Sequence, residues 1–402
     1  MIIHEYQAKK IFKKFGIRVP EGLVAYTPNE AKISAEKINK NGPWIVKAQI
    51  QSDSRFGGRF SDKRAGNKGG IRLSKTIDDV YSNADDMLEN MLITNQTGAK
   101  GRLVSRVYVE EYIKSCKKYY LGIAIDRVKA SVMLFASTVF DVDKAYFINV
   151  LEENPEEIFK LNIGTNRKIT TAQANELLNF MKSNASTEEI KDFTNRLLNV
   201  FYEYDASLLE INPIGIDKEG KIWVIDAKIC FDPNALHKHK DIQVMADEAE
   251  IEEREFIASK YGFQYKELNS GIGIIVNGDG LAINTMNEAK YLGMDTACFL
   301  NLKGGVDRDK IAASLKLIMT NPKVDGIFIN ILGGFLRCNL IADGIITVAN
   351  DLGLNIPLVV RFEGTNKDEA TEILEKSGLA LLIAEDTQNG LYMIKKAIEE
   401  DL

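Results

Sequence analysis

Apolar residues recur along this chain in two rhythms, and the pattern changes after residue 262. Before that point helical and alternating stretches are mixed. Ala8, Ile11, Phe12 and Phe15 fall at helical spacing, and Gly16 ends the helix. A strand over Gly22–Tyr26 leads into Thr27-Pro28-Asn29-Glu30, a capping box with proline at the first helical position. Further strands are predicted at Trp44–Ile50, Leu103–Glu110, Tyr119–Asp126 and Ser131–Thr138, and helices at Thr171–Ser183 and Thr187–Tyr204. Gln51–Gly70, rich in glycine and charge, reads as a loop. Antiparallel strands mixed with helices make this an α+β region.

Residues Asp232–Gly262 are charged and partly helical, with no strand signal, and read as a connection. Beyond it, strands at Gly271–Asn277, Thr296–Leu302, Gly326–Leu332, Ile356–Phe362 and Leu379–Ala384 alternate with helix-length segments. That alternation predicts a doubly wound parallel sheet. The expected division is a first domain over 1–240, a linker over 241–262 and a second domain over 263–402.

Composition narrows the class. The 402 residues are 45% hydrophobic and 27% charged, ordinary for a globular protein of two or three domains. A net charge of -6 leaves no electrostatic footprint for nucleic acid. Cys116, Cys230, Cys298 and Cys338 are scattered without a CxxC pair, as expected of reduced thiols in a cytoplasmic protein. Charge interrupts the apolar residues of MIIHEYQAKKIF, so it does not read as a signal peptide, and no stretch approaches the length of a membrane span.

The richest chemistry lies in Ser207–Ile229, two apolar strands joined by a turn at Asp217-Lys218-Glu219-Gly220. Glu210 and Asn212 are two apart and share a face of the first strand. Folding the hairpin brings Asp226 opposite Ile211, within one residue of register. Carboxylates on an apolar sheet need a cation, and Mg²⁺ with substrate phosphates suits this oxygen set better than a hairpin face lying in water. Lys47 interrupts the apolar strand WIVKAQI. It meets either an anion such as a nucleotide phosphate or, at a sheet edge, snorkels to water. The loop after it, with Gly57, Gly58, Gly66, Gly69 and Gly70, lacks P-loop spacing.

Two further glycine turns follow strands: Asn277, Gly278 and Gly280 in IIVNGDGLA, and Gly333 and Gly334 in INILGGFLR. Each is expected to offer free backbone N–H groups to an anion at a helix N-terminus. The first lacks the third glycine of a dinucleotide fingerprint. No GxSxG elbow occurs, and His4, His237 and His239 are too few and badly placed for a zinc or serine triad.

Several motifs standing in one order carry a resemblance. HEYQAK (His4–Lys9), VKAQI (Val46–Ile50), EINP (Glu210–Pro213), DAK (Asp226–Lys228), VNG (Val276–Gly278) and GG..RC (Gly333–Cys338) resemble the succinyl-CoA synthetase (succinate–CoA ligase) β-subunit family over nearly the full length. The resemblance implies an ATP-grasp domain followed by a flavodoxin-like ligase domain. It also implies a partner α subunit, in a heterodimer or heterotetramer, that carries coenzyme A and a phosphorylated histidine. The implied reaction interconverts succinate, CoA and ATP (or GTP) with succinyl-CoA, the nucleoside diphosphate and phosphate, a step of the citric acid cycle.

Carried over by motif, Lys47, the loop Ser54, Arg55 and Phe56, Glu110, Ile113 and Lys118 occupy nucleotide positions. Lys47 is implied at the phosphates, and Glu110 at the ribose and adenine side. Asn212 and Asp226 are implied as Mg²⁺ ligands, with Glu210 catalytic beside the metal. Asn277 and Gly334, Phe335 and Leu336 are implied at substrate and transferred phosphate.

The chain also departs from the family pattern. Ser54 and Phe56 replace two glycines of HAGGRG, and Lys118 replaces a glutamate. The STEGG..IE motif has become Ser137 to Ala145, without its glycines and glutamates. FLDVGGGA is here Phe299 to Val306, and an acidic residue is Asn339. The competing readings are a non-catalytic paralogue that still pairs with α, or a ligase for another small dicarboxylate such as malate. The altered loop predicts weaker ATP binding or slower transfer than the family norm, unless Gly57 and Gly58 take over the phosphate cradle.

Overall fold

The computed structural model describes residues 1–402 except 53, 115–116, 140–153, 165, 305–306, 335, 354 and 402. Phe335, Cys116, Asp53 and the altered motif from Phe140 to Ala145 therefore lie outside the described residues, as do Gly305 and Val306. The chain divides into two units, Met1–Glu250 and Ile251–Leu402.

Helix α1, Glu5–Lys14, buries Ala8, Ile11 and Phe12 on its apolar stripe. Gly16 follows at φ +70°, where any side chain would also strike Arg196. Helix α2, Pro28–Ile38, starts as the capping residues predict: the Thr27 hydroxyl accepts from the Glu30 N–H. The Glu30 carboxylate accepts from Tyr26, one residue before the cap.

In the first unit, β1 (Gly22–Ala25), β2 (Trp44–Ala48), β4 (Ile71–Ser74) and β7 (Val107–Glu111) form an antiparallel sheet in the order β1-β7-β2-β4. Strands β3 (Arg59–Phe60), β5 (Met91–Ile93) and β6 (Arg102–Leu103) make a small sheet of their own. α2 and α3 (Ile77–Met87) close this core around Trp44, Val46 and Val109. The single strand expected at Leu103–Glu110 is thus two, because β6 pairs with β5 while β7 joins the other sheet. The loop expected over Gln51–Gly70 carries β3 and one 3-10 turn at Lys63–Ala65.

A larger sheet runs β10-β9-β8-β11-β12, with β13 also on β11. Its strands are β8 (Lys117–Asp126), β9 (Ser131–Ser137), β10 (Ile158–Gly164), β11 (Ala206–Ile216), β12 (Ile222–Val224) and β13 (Lys228–Phe231). The helices Thr171–Met181 and Thr187–Glu203 pack on it together with α1. The hairpin differs from expectation in its return arm, which is interrupted at Ile225–Ala227. Pro213 has no N–H to offer the ladder, and its carbonyl takes both the Ile225 and Asp226 N–H groups instead.

In the second unit, β14 (Gln264–Glu267), β15 (Gly271–Val276), β16 (Thr296–Asn301), β17 (Val324–Gly333), β18 (Leu358–Gly364) and β19 (Leu382–Ile383) run in the order β14-β16-β15-β17-β18-β19. β15 to β19 are parallel, the doubly wound sheet that alternation predicts. β14 is an additional antiparallel edge, hidden in the polar sequence QYKE, where only Tyr265 is buried. The stretch expected as a linker is shared out. Ile242 is buried in the first unit's core, His4 Nε2 meets Asp247 at 2.7 Å, and the helix Glu253–Lys260 belongs to the second unit. Among the described residues no helix is long and apolar enough to cross a membrane.

Candidate functional site

A cleft of about 240 Å³ in the first unit gathers residues from both of its main sheets. Lys47 of β2, Glu110 of β7, Ile113 just after it, Phe56 of the loop, Lys118 of β8, and Asn212 and Asp226 of the hairpin all line it. Pro20, Ile45, Ile71, Leu73 and Ile225 supply an apolar wall. A second cavity shares Asn212 and Asp226 and adds Glu5, Ser52, Arg55 and Glu210. The pairs Glu210–Lys228 and Ile214–Val224 fix the hairpin register. That register puts Asp226 across from Asn212, one residue from the expected Ile211.

β2 lies between β7 and β4, so Lys47 is not an edge lysine. Its side chain is 3% exposed and Nζ reaches Glu5 Oε1 at 2.7 Å, Glu110 Oε1 at 2.5 Å and the Ile225 carbonyl at 2.7 Å. The anions it meets are thus the chain's own carboxylates. Lys9 Nζ bonds the same two, Glu5 at 2.7 Å and Glu110 at 2.5 Å. Arg55 joins Asp226 at 2.5 Å and Glu5 at 2.9 Å through Nη2, while Nη1 donates to the Ala48 carbonyl at 3.0 Å. Three carboxylates and three cations therefore neutralise one another out of water, as buried charges require.

The environment separates the carboxylates. Burial alone would raise Glu5, but Lys47, Lys9 and Arg55 override it and hold the carboxyl well below the usual range. Burial keeps Glu110 raised despite Lys47 and Lys9, and keeps Asp226 raised despite Arg55. Glu110, implied at the ribose, directs both oxygens at lysines.

The oxygen set fits a hard cation. Asp226 supplies a carboxylate, Asn212 an amide oxygen and Glu210 a second carboxylate, all lining one cavity. The Arg55 guanidinium already rests on Asp226. Ser54 has a buried hydroxyl with no partner among the described residues, and Phe56 is 61% exposed at the cleft. Gly58 does not line the cleft and its N–H donates to the Arg55 carbonyl at 3.3 Å, while a Cβ on Gly57 would meet open space. Gly69 must be glycine, since its Cβ would lie 1.9 Å from the Phe56 carbonyl.

In the second unit the two glycine turns meet. The Asn277 amide donates to the Leu332 carbonyl at 2.6 Å and accepts from the Leu332 N–H at 3.0 Å. Expectation and structure differ at the second turn. The Gly334 N–H is not free but donates to Leu332, and the following helix starts only at Cys338. Gly333 and Gly334 therefore stand ahead of the helix N-terminus, while Gly278 caps the helix Asp279–Tyr291 as expected. Leu336 is buried in the core.

Glu5, Lys9 and Gln49 were not legible as site residues. Glu5 and Lys9 show i,i+4 spacing, a pattern that ordinarily describes a solvated helix pair.

The chain matches the family model for an ATP-grasp domain over residues 2–216 and that for a CoA-ligase over 275–392. The succinate–CoA ligase (ADP-forming) subunit beta of Bradyrhizobium sp. (strain ORS 278) is 38% identical over 401 residues, covering 99% of this chain and 100% of that protein. The corresponding subunit of Caulobacter vibrioides (strain NA1000 / CB15N) is 38% identical, covering 99% of each. Among solved structures, ATP citrate lyase from Methanothrix soehngenii has the same fold, with a TM-score of 0.68 at 14% identity and 99% coverage of both chains.

Proposed function

The chain belongs to the family of succinate–CoA ligase (ADP-forming) β subunits, and from that membership and the cleft we propose that it binds Mg-nucleotide in its first unit and works with an α subunit to make succinyl-CoA. The observation that carries the reading is the convergence of Lys47, Asn212 and Asp226 on one cleft with an apolar wall. The apolar wall, with Ile113, receives the base. Lys47 faces the phosphates, and Asn212 and Asp226 hold Mg²⁺. The metal, when bound, neutralises phosphate charge. Glu210 lies beside it, where it steadies the group that accepts the phosphoryl. The phosphate acceptor is a histidine of the α subunit, in an αβ pair or a tetramer, and the compartment is the cytoplasm.

The test is calorimetric titration of the purified chain with ADP and ATP, with and without Mg²⁺. Mg-dependent binding is expected, and Asp226→Ala should abolish it while far-UV circular dichroism stays unchanged. Equal affinity in the variant would sink the metal assignment.

Two observations favour a second reading, a non-catalytic subunit. Arg55 rests on the candidate metal ligand, and Ser54 and Phe56 stand where the family has glycine. Turnover with a cognate α subunit separates the two: nucleotide binding without thioester formation supports the non-catalytic subunit.

A further inference from the structure

Glu5 is the first residue of α1, where unpaired N–H groups and the helix dipole favour negative charge. Its side chain is 2% exposed. Oε1 accepts from Lys9 and Lys47, each at 2.7 Å. Oε2 accepts from Arg55 at 2.9 Å and from Gln49 Nε2 at 3.4 Å. One carboxylate thus ties together the cation that faces the nucleotide cleft and the cation that faces the neighbouring cavity.

The alternative partners of these cations are unequal in consequence. Without Glu5, Lys47 keeps Glu110 and the Ile225 carbonyl. Arg55 keeps the Ala48 carbonyl and, as its remaining charged partner among the described residues, Asp226. Glu5 therefore shares the guanidinium with a candidate metal ligand.

We propose that Glu5 is a positioning residue that shares the Arg55 guanidinium with Asp226, weakening its hold there, and fixes Lys47 toward the cleft, so that Mg²⁺ displaces Arg55 from Asp226 when nucleotide binds. The inference rests on the nucleotide reading of the cleft. Two opposed consequences follow from removing the charge. Arg55 falls to Asp226 alone, and Mg²⁺ competes with it. The cluster also gains a net positive charge, which attracts a metal-free nucleotide more strongly.

The experiment titrates ATP into the purified full chain and into Glu5→Gln by calorimetry, without metal and across a MgCl₂ series. In Glu5→Gln the Mg²⁺ concentration for half-maximal enhancement of binding should rise by about tenfold, while metal-free ATP binds at least as tightly as in the unsubstituted chain. Adding Arg55→Met to Glu5→Gln should return the Mg²⁺ requirement toward its original value. A purely structural role for Glu5 predicts loss of affinity with and without metal alike, and that result overturns the proposal, as does an unchanged Mg²⁺ requirement. If Glu5→Gln does not fold, Glu5→Asp keeps the charge and shortens its reach. A smaller rise in Mg²⁺ requirement supports the proposal there, and no rise overturns it. If the unsubstituted chain binds no ATP under any condition, the nucleotide reading itself has failed, an outcome distinct from the others.

Discussion

Lys47, Arg55 and Lys9 are buried cations, and each is held by at least two groups of the chain. Removing one partner from such a cluster leaves a charge out of water without compensation. Lys47→Met should therefore destabilise the chain by about 3–5 kcal/mol in urea unfolding and also abolish nucleotide binding. Glu5 supplies the pH dependence. Its folded value lies below the ordinary 4.5, so the stability it contributes is present above about pH 4.5 and lost as pH falls below that. The gap in urea midpoint between the unsubstituted chain and Glu5→Gln should be full at pH 6 and narrow as pH falls below about 4.5. A gap that stays constant with pH would mean that the Glu5 charge adds nothing. Cys298 is fully buried, and burial pushes its thiol up to about 11. It should resist alkylation at pH 8 until the protein is unfolded, as peptide mass spectrometry would show.

At the scale of elements, the loop from Gln51 to Gly70 decides where Arg55 sits. The Gly70 and Gly58 N–H groups both donate to the Arg55 carbonyl, at 2.8 and 3.3 Å, and Gly69 passes directly behind Phe56. Gly69→Ala should push this backbone apart, lower stability by about 1–3 kcal/mol and weaken nucleotide binding, measured by thermal melting and titration. The front of the loop tells a different story. Phe56 is exposed at the cleft and Lys118 lines the same cleft. Restoring glycine at Ser54 and Phe56, with glutamate at Lys118, should tighten ATP binding if backbone access to phosphate limits it. If nucleotide affinity does not change in the triple variant, the altered loop already positions the phosphates by another route. The hairpin shows the same dependence on backbone detail. Pro213 breaks the ladder, and its carbonyl takes the Ile225 and Asp226 N–H groups, so the return arm is interrupted where Asp226 meets Arg55.

At the scale of the molecule, both units carry candidate sites, but the second unit, which holds the Asn277 and Gly333 turns, contains no histidine. His4 lines the cavity of Glu210, Asn212 and Asp226 but is buried with Nε2 held by Asp247, and His237 and His239 follow β13 in the first unit. The purified chain should therefore form no succinyl-CoA from succinate, CoA and ATP, and should do so when a cognate α subunit is added, read by thioester absorbance. Thioester made by the chain alone, clear of contamination, would refute the dependence on α.

Much of this protein was legible without coordinates because it depends on local pattern. Strand-helix alternation after residue 262 specified the parallel sheet, and Thr27 to Glu30 specified the start of α2, since each is decided by neighbours in sequence. Spacing alone put Glu210 and Asn212 in one cavity lining, and turn position placed Asp226 within one residue of its register position. Motif order identified the family. Other features came only from tertiary structure. Whether Lys47 stood at an edge or in the middle of a sheet depended on β7, a strand some sixty residues away in sequence. The small sheet that splits 103–110, and the antiparallel β14, were set by pairing partners rather than by their own residues. Glu5 and Lys9 read as a surface pair because spacing reports a face but not what covers it. Their burial against Lys47, Glu110 and Arg55 required three separate chain segments to meet, and charges leave water only where such partners arrive together.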